Sequence, residues 1–87
     1  MRTISFSPKA FNDFMHCYET DKTTFSKISF LILEAARNPF SGKGKPEPLK
    51  NKLTGYWSRR INEEHRLVYK VTGNILEIVS CKYHYTK

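Results

Sequence analysis

Residues 56–85 read YWSRRINEEHRLVYKVTGNILEIVSCKYHY, and this stretch decides the fold. Leu67, Tyr69 and Val71 alternate with their neighbours, the period-two pattern of a strand with one buried face. Gly73-Asn74 is a tight-turn pair, so His65–Thr72 and Ile75–Tyr85 are expected to form a hairpin. Tyr56–Ile61 supplies a strand before them. Parity then assigns faces: Arg66 is out of step with Leu67 and Tyr69, Arg60 is out of step with Trp57 and Ile61, and Lys82 is in step with His84. One polar sheet face carrying Arg60, Arg66, Lys82 and His84 is the expectation, with Trp57, Tyr69 and Tyr83 in the core. Of the neighbours Arg59 and Arg60, one should point to the core and one away.

Upstream, the period changes. Ser7-Pro8 is a helix start, a hydroxyl cap followed by a residue with no N–H to satisfy. Phe11, Phe14, Met15 and Tyr18 then recur at helical spacing and read as core. Thr20-Asp21 can cap a second helix whose apolar face is Phe25, Ile28, Ile32, Ala35 and Ala36, and Asn38-Pro39 stops it. Arg2–Phe6 alternates and reads as a first strand. The order β-α-α-β-β-β describes one domain over residues 1–87, an α+β fold with an antiparallel sheet packed on a two-helix hairpin.

Charge is uneven along the chain. The net charge is +7, and residues 1–42 carry five Lys/Arg against four Asp/Glu while residues 43–87 carry ten against four. The second half is therefore the candidate polyanion-facing half, although a solvated basic surface has the same composition. Cys17 and Cys81 are far apart and lack zinc-ligand spacing, so two buried free thiols are expected. The longest apolar run is FLIL at 30–33, too short to cross a membrane, and MRTISFSPKA has no apolar signal core. The expected location is the cytoplasm, with no membrane partner.

Between helices and hairpin lies GKGKPEPLK at 42–50, in a loop over residues 39–55 long enough to suggest function. Glu47 stands there between Pro46 and Pro48, among Lys43, Lys45, Lys50 and Lys52. A carboxylate, a histidine and several cations suffice to cleave RNA without a metal. A base takes the 2′-hydroxyl proton, an acid protonates the leaving 5′-oxygen, and cations stabilise the charge gathering on phosphorus. Arginine suits the phosphate because its fork bonds two oxygens at once. Taken singly, each residue also fits a plain role. Glu47 fits an exposed loop carboxylate, His84 an inert strand-end histidine, and Arg59 with Arg60 a solvated pair. Glu63 and Glu64 fit a turn, where they can orient an arginine.

Taken together, GKGKPEPLK, LTGYWSRRINEEHRLVY (53–69) and CKYHY (81–85), with ETDK at 19–22, resemble the YoeB/Txe toxins, part of the RelE-like toxins of type II toxin–antitoxin systems. The resemblance implies a RelE/microbial-RNase-like fold and a ribosome-dependent endoribonuclease that cuts mRNA in the 30S A site. It implies Glu47 as general base, His84 as general acid, Arg66 as transition-state stabiliser and Tyr85 as a nucleotide-positioning residue. Lys50 and Arg60 would hold phosphate, with Arg59 and Lys45 as further candidate RNA contacts; no metal or cofactor is implied. Implied partners are a YefM-like antitoxin, the ribosome with its mRNA, operator DNA only through the antitoxin complex, and a second copy in a homodimer. Thr86-Lys87 extends beyond the tyrosine at which family members often stop. The competing readings are a non-enzymatic gyrase inhibitor like the ParE toxins and a ribosome-binding translation inhibitor that cuts nothing.

Overall fold

A computed structural model describes residues 1–84, and the side chains of residues 1–83. The chain runs through β1 (Thr3–Phe6), α1 (Pro8–Thr20), α2 (Lys22–Arg37), β2 (Glu47–Pro48), β3 (Trp57–Arg60), β4 (His65–Thr72) and β5 (Ile75–His84), with a single 3-10 turn at Asn51–Leu53. Both helices begin as their sequences ask. Ser7 Oγ accepts the Ala10 amide, with Pro8 in the first turn, and Asp21 accepts the Thr24 amide, ending α1 and starting α2 in one residue.

The sheet order is β1-β5-β4-β3-β2. The pairs β3–β4 and β4–β5 are antiparallel as expected; β2 adds a further antiparallel pair with β3, while β1 lies parallel to β5 and makes the sheet mixed. β4 already has β3 on its far side, so the open edge of β5 receives β1. A four-residue alternation shows that a strand exists but carries no sign of its direction. Among the described residues, β2 is an element that hydrophobic pattern could not reveal. It is two residues long, contains a proline and lies at the sheet edge, where a missing N–H costs no ladder bond.

One face of the sheet takes both helices. Leu67, Tyr69, Leu76, Ile78 and Cys81 pack against Ile28, Leu31, Ile32, Ala35 and Ala36 of α2 and Ala10 and Cys17 of α1. On α1 the aromatic stripe does not lie where helical spacing suggested. Phe11, Met15 and Tyr18 are exposed, and the line facing the sheet is Ala10, Phe14 and Cys17. Small residues at 10 and 17 let the helix axis approach β5, which leaves no room for rings there. Phe14 bridges instead, stacking on Phe6 at 5.4 Å and Phe25 at 4.5 Å between ring centroids. Cys17 and Cys81 are both buried free thiols. Among the described residues, no helix is long and apolar enough to cross a membrane.

Burial first, then the Asp13 charge, pushes the Cys81 thiol up from 9.0 to about 12. The folded chain thus holds a proton that the unfolded chain releases above about pH 9, so stability is intact below that value and falls as pH rises towards 12. Tyr69, raised mainly by burial, acts in the same direction from 10.0 upward. Urea titrations between pH 8 and 10 should show the wild type losing up to about 1.4 kcal/mol per pH unit from this thiol. Cys81→Ala should be less stable at pH 8 yet flatter across the window; an equally steep decline would show that Cys81 is not the titrating group.

Candidate functional site

The sheet face away from the helices is organised by two rows of cross-strand partners. Glu47 of β2 is opposite Ser58 of β3, which is opposite Val68 of β4. Two residues along, Arg60 of β3 is opposite Arg66 of β4, and Arg66 is opposite Tyr83 of β5. Directly paired residues share a face, so this register collects Glu47, Arg60, Arg66 and Tyr83 on one surface. Ideal strand spacing and rise put the Glu47 and Arg66 Cα positions roughly 12 Å apart, a span that two long side chains can close around one phosphate.

Glu47, Lys50 and Tyr83 line a groove of about 360 Å³, with Pro48, Leu49, Asn51 and Leu53 completing it. The backbone beside Glu47 is unusual. Lys45 has φ 51° and Asn51 φ 59°, the left-handed region in which non-glycine side chains are crowded. Ser58, the partner beneath Glu47, is fully buried, and its hydroxyl has no hydrogen-bond partner among the described residues. It is the polar group nearest in register to the carboxylate. No sequence pattern singles it out, because a serine inside a strand looks neutral.

Arg66 is 7% exposed and is held by the turn that precedes it. Its Nη1 donates to the carbonyls of Asn62 at 3.1 Å and His65 at 3.4 Å. Asn62 Oδ1 accepts the amides of Glu64 and His65 and shapes that turn, in which Glu63 and Glu64 sit as expected. Both glutamates are exposed.

Two expectations about faces change. Lys82 does not join Arg60 and Arg66; it lines a cleft on the helix side with Cys17, Asp21 and His65. Tyr83, expected in the core, is 36% exposed and takes the place opposite Arg66. The phase of β5 is set by Leu76 and Ile78, which face the helices; steps of two from them put Lys82 on that side and Tyr83 on the open one. Two register irregularities interrupt the β4–β5 ladder, one between Val68 and Tyr69, and together they shift the register by two residues and leave those faces unchanged. At the other, between Arg66 and Val68, the single residue Leu67 faces both Cys81 and Lys82. Asp13 of α1 anchors this irregularity by accepting the Cys81 amide at 3.2 Å and Lys9 Nζ at 2.7 Å. His84 is in strand register opposite His65, and its side chain and Tyr85 lie outside the described residues.

Arg59 also leaves the candidate set. As a surface RNA contact it would need solvent, but it is fully buried on the helix side. Its Nε donates to Tyr69 Oη at 3.0 Å, Nη1 to the Lys43 carbonyl at 2.9 Å, and Nη2 to the carbonyls of Ser41 and Asn38. Tyr69 Oη in turn donates to the Pro39 carbonyl at 2.6 Å. A buried guanidinium must be saturated in this way, since it cannot shed its charge. The effect is to pull four carbonyls of residues 38–43 inward and fix the path of the chain into β2. Gly44 completes that path. At φ +85° its missing Cβ would lie 2.9 Å from Leu31 Cδ2, and its carbonyl accepts the Arg60 amide at 2.6 Å. Among the described residues, no three His, Cys, Asp or Glu side chains form a metal-holding group.

The arrangement defines a class: a small basic α+β domain with one helix-covered sheet face and one face offering a carboxylate beside arginines. Residues 6–85 match the family described as the YoeB-like toxin of bacterial type II toxin-antitoxin system. The chain is 55% identical over 82 residues to Toxin YoeB of Escherichia coli K12, covering 94% of this chain and 98% of that protein. The YoeB dimer from Staphylococcus aureus superposes with a TM-score of 0.89 at 53% identity, over 97% of this chain and 98% of that one. The toxin of the heterotetrameric YoeB–YefM complex from Staphylococcus aureus does so at 0.87 and 52%, over 98% and 99%. The chain belongs to the YoeB-like toxins, within the RelE-like fold.

Removing the Tyr69 hydroxyl should expose how much of the site depends on the Arg59 cluster. Tyr69→Phe leaves Arg59 Nε and the Pro39 carbonyl without their partner and should cost about 1–3 kcal/mol. Thermal melts should then shift down by roughly 4–8 °C per kcal/mol, and amide exchange should quicken at Arg60, whose acceptor is the Gly44 carbonyl. A variant that melts with the wild type would show that the cluster does not hold the segment.

Proposed function

We propose that this chain is the toxin of a type II toxin–antitoxin pair that cleaves mRNA in the ribosomal A site. The observation that carries the reading is the pairing of β2 with β3, which sets Glu47 on the same sheet face as Arg60, Arg66 and Tyr83. Glu47 accepts the proton of a 2′-hydroxyl, and the freed oxygen attacks the adjacent phosphorus. The bond to the 5′-oxygen breaks as His84 donates a proton to it, leaving a 2′,3′-cyclic phosphate and a 5′-hydroxyl. Arg66 stabilises the charge that builds on the non-bridging oxygens. Lys50, Arg60 and Lys45 hold neighbouring phosphates, Tyr85 positions the nucleotide, and Tyr83 contributes a ring to the groove wall.

A metal-free acid–base pair of this kind acts slowly on free RNA unless the strand is held in line for attack, and the ribosomal A site is where such a strand is presented. Action there places the protein in the cytoplasm. By analogy with the Staphylococcus aureus YoeB–YefM complex, a YefM-like antitoxin binds it. That antitoxin neutralises it, and operator DNA is reached only through the pair. The dimer of the same relative supports self-association. A net charge of +7 favours capture by an acidic partner segment.

Primer extension on mRNA translated by purified ribosomes tests the reading. Wild-type protein should produce cuts at A-site codons, and Glu47→Ala and His84→Ala should each slow them by about 10²–10⁴-fold while still associating with ribosomes. Intact mRNA with translation nonetheless arrested would move the chain to the binding-only class, and DNA breaks at gyrase sites would move it to the ParE-like one.

A further inference from the structure

A second cleft, also of about 360 Å³, opens between α2 and residues 43–45, at the β2–β3 edge of the sheet. Its floor is apolar, made by Leu31 and the ring of Phe30, and its rim is cationic, made by Lys27, Lys43, Lys45 and Arg60. Phe30 is 49% exposed, so its ring is open to a ligand in the cleft. Among the described residues the ion pairs are Lys9–Asp13 and Lys70–Glu77, and none of the four cations takes part in one. Four unneutralised cations this close together repel one another, so an anion that enters between them relieves that repulsion.

The cleft is also preformed. Arg59 binds the Lys43 carbonyl from inside and Gly44 packs on Leu31, so the backbone of 43–45 is fixed while its lysine side chains project to the cleft. It adjoins the candidate catalytic face at two points. Arg60 is the cross-strand partner of Arg66, and Lys45 precedes Glu47 by two residues.

We propose that this cleft is a nucleotide subsite for the RNA strand beside the cleaved phosphate, with a base against Phe30 and its phosphate among Lys27, Lys43, Lys45 and Arg60. The inference rests on the endoribonuclease reading for its position along the strand. An aromatic face beside cations matches a base linked to phosphate. An acidic peptide would use the same cations and has no need of the ring.

Fluorescence anisotropy with the full chain and a short 2′-O-methylated single-stranded RNA, which cannot be cut, tests the assignment across a salt series. Lys27 and Phe30 are exposed, so their replacement leaves the core untouched, and melting curves verify this. Lys27→Ala should weaken binding several-fold and reduce the slope of log affinity against log salt by about 0.7. Phe30→Ala should weaken binding by roughly 5-fold or more with an unchanged slope. Wild-type affinity in both variants overturns the assignment, as does failure of the wild type to bind this RNA. Polyglutamate competing with RNA while Phe30→Ala binds normally also overturns it, in favour of an acidic peptide. Because the probe cannot be cleaved, a protein that binds it through this cleft but leaves translated mRNA intact would sink the endonuclease reading alone.

Discussion

A guanidinium carried into a protein interior keeps its charge, and the surrounding oxygens must then be arranged for it. Arg59 imposes that requirement here. Its partners are the Tyr69 hydroxyl and the carbonyls of Asn38, Ser41 and Lys43, and Tyr69 reaches on to Pro39. The segment after α2 has few apolar residues with which to hold itself down; Phe40 is one, its ring centroid 4.8 Å from that of Trp57. Without Arg59 it would be a lysine-rich loop free to wander; with it, the chain is turned inward, crosses over Leu31 at Gly44 and enters β2 in register with β3. The position of Glu47 follows from that register, so the carboxylate of the site depends on a cation on the opposite face of the sheet.

The same economy governs the other end of the sheet. Asp13 reaches from α1 to the Cys81 amide, where β5 fits two residues opposite one. Beyond it, Lys82 lies on the helix side and Tyr83 pairs with Arg66. Both devices place a charged or polar group in the helix-covered layer to fix what the open face presents. Arg60 links the cleft at the sheet edge to the open face, since it lines the cleft and pairs with Arg66.

Much of this was legible in the residues. The period-two runs, the Gly73-Asn74 turn, the Ser7-Pro8 and Asp21 caps and the apolar face of α2 all appear where the patterns place them. The opposed directions of Arg59 and Arg60 followed from parity alone. Lys82 and Tyr83 were misassigned because the last strand was phased from its polar end; phased from the apolar pair Leu76 and Ile78, the same alternation places Lys82 on the helix side and Tyr83 on the open face. The stripe of Phe11, Met15 and Tyr18 misled because hydrophobicity marks a face, whereas close helix approach selects small residues, here Ala10 and Cys17. The parallel seating of β1 and the two-residue β2 depend on tertiary pairing and leave no local signature. For the candidate site, Glu47 drew notice by its flanking prolines and lysines, and the resemblance to the YoeB/Txe toxins supplied its proposed role.

The account turns on a 2′-hydroxyl made nucleophilic by this chain's own carboxylate. The most direct measurement uses ribosomes stalled on an mRNA carrying one 2′-deoxynucleotide immediately 5′ of the scissile phosphate. The account predicts that wild-type protein leaves this mRNA intact while cutting the all-ribose control to a cyclic-phosphate end. Cleavage of the deoxy-substituted strand at the same bond would contradict it, because the attacking oxygen would then have to come from water.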